Sequence, residues 1–191
     1  ILISIFFSFL IIKPLISFLE IPASDIHLLQ LAPGEFLFVA IKVAGYSGII
    51  VSIPYIFYQV ILFISPGLTK KEKNLILPAV FGSGLLFFLG LLFSWWILVP
   101  AAINFFINFG ADIVEPTWSI ERYFDFVLLL MSSTAIAFQL PVLQFILGSL
   151  GIITTEKMIS NWKIVVISSA ILSAVITPST DPLTMSLLSI S

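Results

Sequence analysis

Charged side chains cut this chain into long apolar runs, and a helix needs about 20 mostly apolar residues to cross a hydrocarbon core of about 30 Å. Between Lys42 and Lys70 lie 27 uncharged residues, between Lys73 and Asp112 lie 38, and between Asp125 and Glu156 lie 30. Each gap accommodates one span, which the pattern places at residues 43–64, 75–98 and 126–147, with Pro100 and the Gly148–Gly151 pair as stops. From Lys163 to Asp181 there are only 17 uncharged residues, and Thr177-Pro178 ends that helix sooner still. Residues 162–176 therefore form a short span, anchored by Trp162 and Lys163, whose apolar part rises only about 20 Å and must thin the bilayer or shelter behind neighbours. Residues 1–12 look like the tail of an earlier span, and residues 183–191 begin a further one. The expectation is one all-α, polytopic membrane domain over residues 1–191, with four complete spans and a partial one truncated at each end of the fragment. A barrel would instead show alternating segments of about ten residues.

The connections carry their own signals. From Lys13 to Lys42 the chain holds Pro14, Pro22, Pro33 and Gly34 among amphipathic pieces such as Ile26-His27-Leu28-Leu29, which predicts a cap on the membrane surface. The stretch from Pro100 to Arg122 is similar, with Asn104 and Asn108 on one helix face. Pro33, Glu35 and Asp181 mark external turns, Asp181 lying between Pro178 and Pro182. One set of loops holds Lys70, Lys71, Lys73, Lys157 and Lys163, against Lys13, Lys42 and Arg122 on the other side, which assigns the first set to the cytoplasm. Prolines at 54, 78 and 141 predict bent helices forming a curved wall.

Composition makes the bilayer the required solvent: 60% of residues are apolar and 9% charged, against about 25% charged in ordinary soluble domains. A net charge of −2 gives no field to hold a nucleic-acid backbone. With no Cys and a single His, His27, the chain offers no disulfide, thiol nucleophile or Cys-based zinc site, and no metal or cofactor is expected. His27 reads as an interfacial spectator. No charge falls inside the complete spans as placed, which argues against an ion pump, a secondary transporter or a voltage-gated channel. The sequence also lacks any catalytic constellation, so an enzyme is not expected.

A few polar positions carry the candidate chemistry. Gln139 falls near the middle of its span, followed by Pro141 and Gln144. Two readings are open: a bond to a neighbouring helix of the same protein, or a docking point for another protein's transmembrane helix beside carbonyls exposed by Pro141. Glu72, within Lys70-Lys71-Glu72-Lys73, reads from composition as a solvated loop acid neutralised by its lysines. Trp95, Trp96, Trp118 and Trp162 are expected at membrane interfaces.

Several ordered motifs are more specific than hydropathy. Pro33-Gly34-Glu35-Phe36, Lys42, Pro54-Tyr55-Ile56-Phe57-Tyr58-Gln59, Phe63-Ile64-Ser65-Pro66-Gly67-Leu68, Lys71-Glu72-Lys73, Phe138-Gln139-Leu140-Pro141-Val142 and Thr177-Pro178-Ser179-Thr180-Asp181-Pro182 closely resemble the TatC family of twin-arginine translocase components. Gln139, Tyr123-Phe124-Asp125-Phe126 and Thr180-Asp181-Pro182-Leu183-Thr184 are most similar to cyanobacterial and plastid members. The resemblance implies six helices in a concave receptor with both ends cytoplasmic or stromal, in a thylakoid or bacterial plasma membrane. It implies binding of signal peptides bearing paired arginines. It further implies transport of folded proteins by proton-motive force, together with single-span partners of the TatA and TatB types. On this reading Glu72, flanked by Lys71 and Lys73, matches the loop acid that contacts the arginine pair, and Gln139 with Pro141 matches the position where the partner helix docks. Many bacterial members carry Glu at the position of Gln139, so a role requiring a carboxylate there does not transfer. One exposed Arg–carboxylate pair is worth about 0–1 kcal/mol, and the family's further acid comes from an amino-terminal cytoplasmic segment outside this chain, so weak peptide binding by the chain alone is expected. The alternatives are a small-solute transporter or channel subunit and a purely structural scaffold.

Overall fold

The computed structural model describes residues 1–23, 26–64, 76–110 and 117–149, together with the single positions Lys163, Ile167, Ile171 and Ser186. The chain opens with α1 (Leu2–Leu10) and α2 (Ile12–Glu20), which meet at a 75° bend. Pro14 explains the break: it has no N–H to give the Leu10 carbonyl and its ring would strike that turn, whereas in the first turn of a new helix neither matters. A 3₁₀ turn at Ile21–Ala23 contains Pro22 and closes α2.

After the strand β1 (His27–Leu29), the chain reverses through Ala32-Pro33-Gly34-Glu35, where Glu35 N–H donates to the Ala32 carbonyl at 3.2 Å. Gly34 has φ +83° there, the left-handed conformation a type II turn demands at its third position, directly after proline at the second. The helix α3 (Glu35–Ile64) starts at once and runs 30 residues, about 45 Å. It begins well before Val43, where the charge gaps place the span, and it carries Pro54 inside one continuous helix.

The next helix, α4 (Ile76–Phe93), passes through a π turn at Ser94–Leu98 into α5 (Val99–Gly110). Pro100 is thus not a stop, contrary to the sequence expectation, and residues Pro78–Asn108 read as one apolar stretch of 31 residues. The π turn supplies the reason: Val99 N–H reaches back to the Ser94 carbonyl, and this wider winding lets the proline ring pass the preceding turn.

The strand β2 (Thr117–Ser119) pairs in parallel with β1, in the register His27 with Thr117, Leu28 with Trp118 and Leu29 with Ser119. Among the described residues the mostly helical fold therefore has one short ladder where an amphipathic cap was expected, and it ties the connection before α3 to the connection before α6. Ser119 caps α6 (Ile120–Ala137), a turn at residues 138–139 follows, and α7 (Leu140–Ser149) continues the same apolar stretch, Ile120–Gly148.

Among the described residues three helical stretches are long and apolar enough to cross a membrane, or four if the bent α1–α2 pair is one span. The expected spans at 162–176 and 183–191 lie outside the described residues, the four single positions apart. The core joins α2, α3, the π turn, α5 and α6 around Val39, Val43, Leu98, Val99, Ile103, Tyr123, Phe124, Val127 and Leu130. Trp95 belongs to this core, stacked on Phe18 at 4.4 Å, rather than to an interface belt, while its neighbour Trp96 is 70% exposed. Small residues set the closest helix approaches. A Cβ on Gly48 would lie 2.6 Å from the Ile5 Cα, so α1 rests directly on the α3 backbone, and the Ser4 and Ser52 hydroxyls meet there at 2.9 Å.

Candidate functional site

Gln139 occupies the turn between α6 and α7. Its backbone N–H donates to the Ile136 carbonyl at 2.9 Å, and its own carbonyl accepts from Leu143 N–H at 3.0 Å. The side chain is only 6% exposed and crosses to α4, where Nε2 donates to the Ser83 carbonyl at 3.0 Å. The Oε1 acceptor is buried with no partner among the described residues. Gly90 allows this approach: a Cβ there would stand 3.0 Å from the Ala135 Cα and 2.9 Å from the Phe138 ring. Pro141, exposed in the first turn of α7, cannot donate to the Ala137 carbonyl, which leaves a backbone acceptor free of its helical partner one residue pair away from Gln139. A buried amide whose acceptor oxygen has no partner among the described residues lies here near a carbonyl that Pro141 deprives of its usual helical donor, and both are acceptors left over where no water competes.

A second polar centre lies at the external end of α3 and α6. Lys42 Nζ contacts Glu121 Oε1 at 2.7 Å and both Asp125 oxygens at 2.8 and 2.9 Å. About two helical turns earlier, Glu35 is buried and accepts on both oxygens. Its Oε2 takes Leu31 N–H at 2.6 Å and Ala32 N–H at 3.2 Å, and its Oε1 takes the Ser119 hydroxyl and Glu121 N–H. This carboxylate thereby completes the Pro33 turn and covers the first turn of α6, where helix N–H groups lack partners. All four charged groups lie within apolar helical stretches, so the expectation that complete spans hold no charge is corrected: the helices extend beyond the positions where the charge gaps end them, Lys42 pairs with Glu121 and Asp125, and Glu35 is held by neutral hydrogen-bond donors. The spacing of Glu121 and Asp125, four residues apart, was the sequence signal for a shared partner, but nothing in the chain order pointed to Lys42.

Of the residues singled out in the sequence, Gln139, Pro141, Pro33 and Glu35 fall within the described residues, in two places: the first pair on the α6–α7 turn and the second at the external end. Glu72, Lys71, Lys73 and Asp181 lie outside the described residues. His27 forms the first register pair of the ladder. Among the described residues no group of three or more His, Cys, Asp or Glu side chains could hold a metal ion.

These features define a multi-pass, helical integral membrane protein. Residues 1–190 match the family model described as Sec-independent protein translocase protein (TatC). The chain is 53% identical over 188 residues to the Sec-independent protein translocase protein TatC of Synechocystis, covering 98% of this chain and 74% of that protein. It is 51% identical over 178 residues to the chloroplastic TATC protein of Arabidopsis thaliana, covering 92% of this chain and 52% of that protein. A crystal structure described as the twin arginine translocase receptor TatC in DDM superimposes with a TM-score of 0.87 at 34% identity, covering 99% of this chain and 86% of that one. The chain belongs to the TatC family of Sec-independent protein translocase proteins, a non-enzymatic family, and its relatives are cyanobacterial and chloroplastic. That membership displaces the solute-transporter alternative.

Proposed function

We propose that this protein is the core receptor subunit of a twin-arginine translocase. On this reading it binds signal peptides carrying paired arginines through Glu72, with Lys71 and Lys73 tuning the loop charge. It docks single-span partners of the TatA and TatB types at Gln139 and Pro141, and it passes folded proteins across a thylakoid or bacterial membrane by proton-motive force. The observation that carries the reading is the buried Gln139 amide. Its acceptor oxygen is unused among the described residues and stands beside a backbone carbonyl freed by Pro141, on a chain matched along its length by the family. A partner helix laid on the exposed Ile136, Leu140 and Pro141 and offering one hydroxyl or amide donor to the carbonyl that Pro141 frees gains a hydrogen bond in a medium without water, about 0.6–2 kcal/mol.

The peptide-binding part is tested by titrating the detergent-purified chain with a twin-arginine peptide and its Lys-Lys analogue. The expected result is tighter binding of the arginine peptide and loss of that preference in Glu72→Gln; a carboxylate accepts the planar guanidinium on two oxygens, and an amide does not. Equal affinities for the two peptides overturn the role of Glu72. Site-specific photocrosslinking from position 72 to a precursor protein in native membranes identifies the contacted segment directly.

A further inference from the structure

The external end of the molecule holds an open pocket that the receptor reading leaves unused. It encloses about 330 Å³ between α5 and the start of α6 and is lined by Phe106, Trp118, Arg122, Tyr123 and Phe126. Its walls are interlocked aromatic rings: Phe106 meets Trp118 edge-on at 6.1 Å and Phe126 at 5.8 Å, and Trp118 lies 6.5 Å from Tyr123. Arg122 supplies the charge of this lining. Helix periodicity explains the placement. Glu121 and Asp125 stand one turn apart and turn toward Lys42 of α3, so Arg122 and Phe126, each one residue further round, line the pocket beside α5. Lys42 thus engages both acids nearest Arg122 in sequence. Among the described residues the Arg122 guanidinium has no ion pair and no hydrogen-bond acceptor, and its contact in that region is a backbone one, Arg122 N–H to the Ser119 hydroxyl.

The depth of the pocket follows from the same helix. The charges at Lys42, Glu121 and Asp125 end where α6 enters the apolar run from Phe126 to Met131, and Trp118 is the ring type that settles at that boundary. We propose that the pocket binds one anionic membrane lipid, its negatively charged headgroup on Arg122 and the start of an acyl chain against Phe106 and Phe126. A soluble anion would engage Arg122 alone and leave the aromatic walls uncovered, whereas a lipid uses both halves of the site. The guanidinium fork matches the paired oxygens of such a headgroup. A partly charged, mostly aromatic cavity of this size falls at the lower end of small-ligand pockets, enough for a headgroup and the first carbons of a chain.

The test uses the full chain in mild detergent, with native mass spectrometry counting lipids retained from equal additions of phosphatidylglycerol and phosphatidylcholine. Wild type should retain one phosphatidylglycerol in preference to phosphatidylcholine. Arg122→Gln should lower that retention at least about fivefold and Arg122→Lys should keep most of it; circular dichroism confirms that the exposed substitution leaves the helices intact. Equal retention by Arg122→Gln, or no preference between the lipids, overturns the proposal. So does displacement of the lipid by millimolar inorganic phosphate, which would mark a plain anion site. A second measurement needs no change at Arg122: phosphatidylglycerol with brominated chains should quench a fluorescence component present in wild type and missing from Trp118→Phe. Absence of that component also overturns it.

Discussion

Tyr123 puts a hydroxyl into the middle of an apolar cluster, and the Leu19 carbonyl accepts from it at 2.7 Å. That bond fastens α6 to the last turn of α2 and gives the Leu19 carbonyl a donor from another helix. Tyr123→Phe keeps the ring and strands the carbonyl, so it should cost about 1–3 kcal/mol, measured as a lower thermal midpoint in detergent. Glu35 is the more exacting residue because four donors converge on its two oxygens. In Glu35→Gln an amide nitrogen must face donors that need an acceptor, so the midpoint should fall and protease should cut the external connections faster, with the helical spans left protected. Neither partnership was legible in the sequence. Pro33-Gly34 announced a turn, and the family motif singled out Glu35, but the Ser119 hydroxyl that meets it lies 84 residues along the chain and has no spacing signal.

At the scale of elements, three of the apolar runs coincide with long apolar helices among the described residues and differ from them mainly at their ends. Treating each charge as a boundary is sound when the charge faces lipid or water. Lys42, Glu121 and Asp125 instead face one another, so α3 and α6 run through them with these three charges in contact. Pro100 misleads for a related reason: its effect depends on the turn before it, and a π turn, which has no compositional signature, removes the clash. The close packing of helices is equally hidden. Gly48 is one of ten glycines, and only the structure shows that the α1 backbone occupies the space its side chain would need. Gly48→Ala should therefore cost about 1–3 kcal/mol by forcing α1 away from α3. A disulfide trap between cysteines placed at Ser4 and Ser52 should form more slowly in that variant. Gly82→Ala, where a Cβ meets nothing within 4 Å, serves as the control and should leave the midpoint unchanged or raised.

Across the described residues, side-chain polarity gathers in two places, a buried amide between α4 and the α6–α7 turn and a charged group where the starts of α3 and α6 meet. The first bears on assembly. Gln139→Leu removes one hydrogen bond to Ser83 and should change the stability of the isolated chain by no more than about 1–2 kcal/mol. If the partner helix docks there, the same variant should lose most co-purification of the single-span partner, whereas Gln139→Asn should retain part of it. Unchanged co-purification in Gln139→Leu would remove that site from the docking surface. Composition alone made the bilayer environment plain, and the ordered motifs pointed to the family. The placement of Gln139 against Ser83 needed the structure, because the two positions are 56 residues apart and belong to different helices.

The ladder between β1 and β2, together with the Glu35 carboxylate held at Ser119, also sets a timetable for synthesis. Residues 27 to 35 leave the ribosome long before residues 117 to 121, and both intervening membrane helices must be threaded before the two can meet. Until then this surface is unlatched, with the Glu35 carboxylate lacking its Ser119 and Glu121 donors and the β1 edge lacking its mate. A stalled chain whose emerged part ends before residue 117 should consequently be cut by added protease at residues 27–35, and one whose emerged part extends past residue 137 should be protected there.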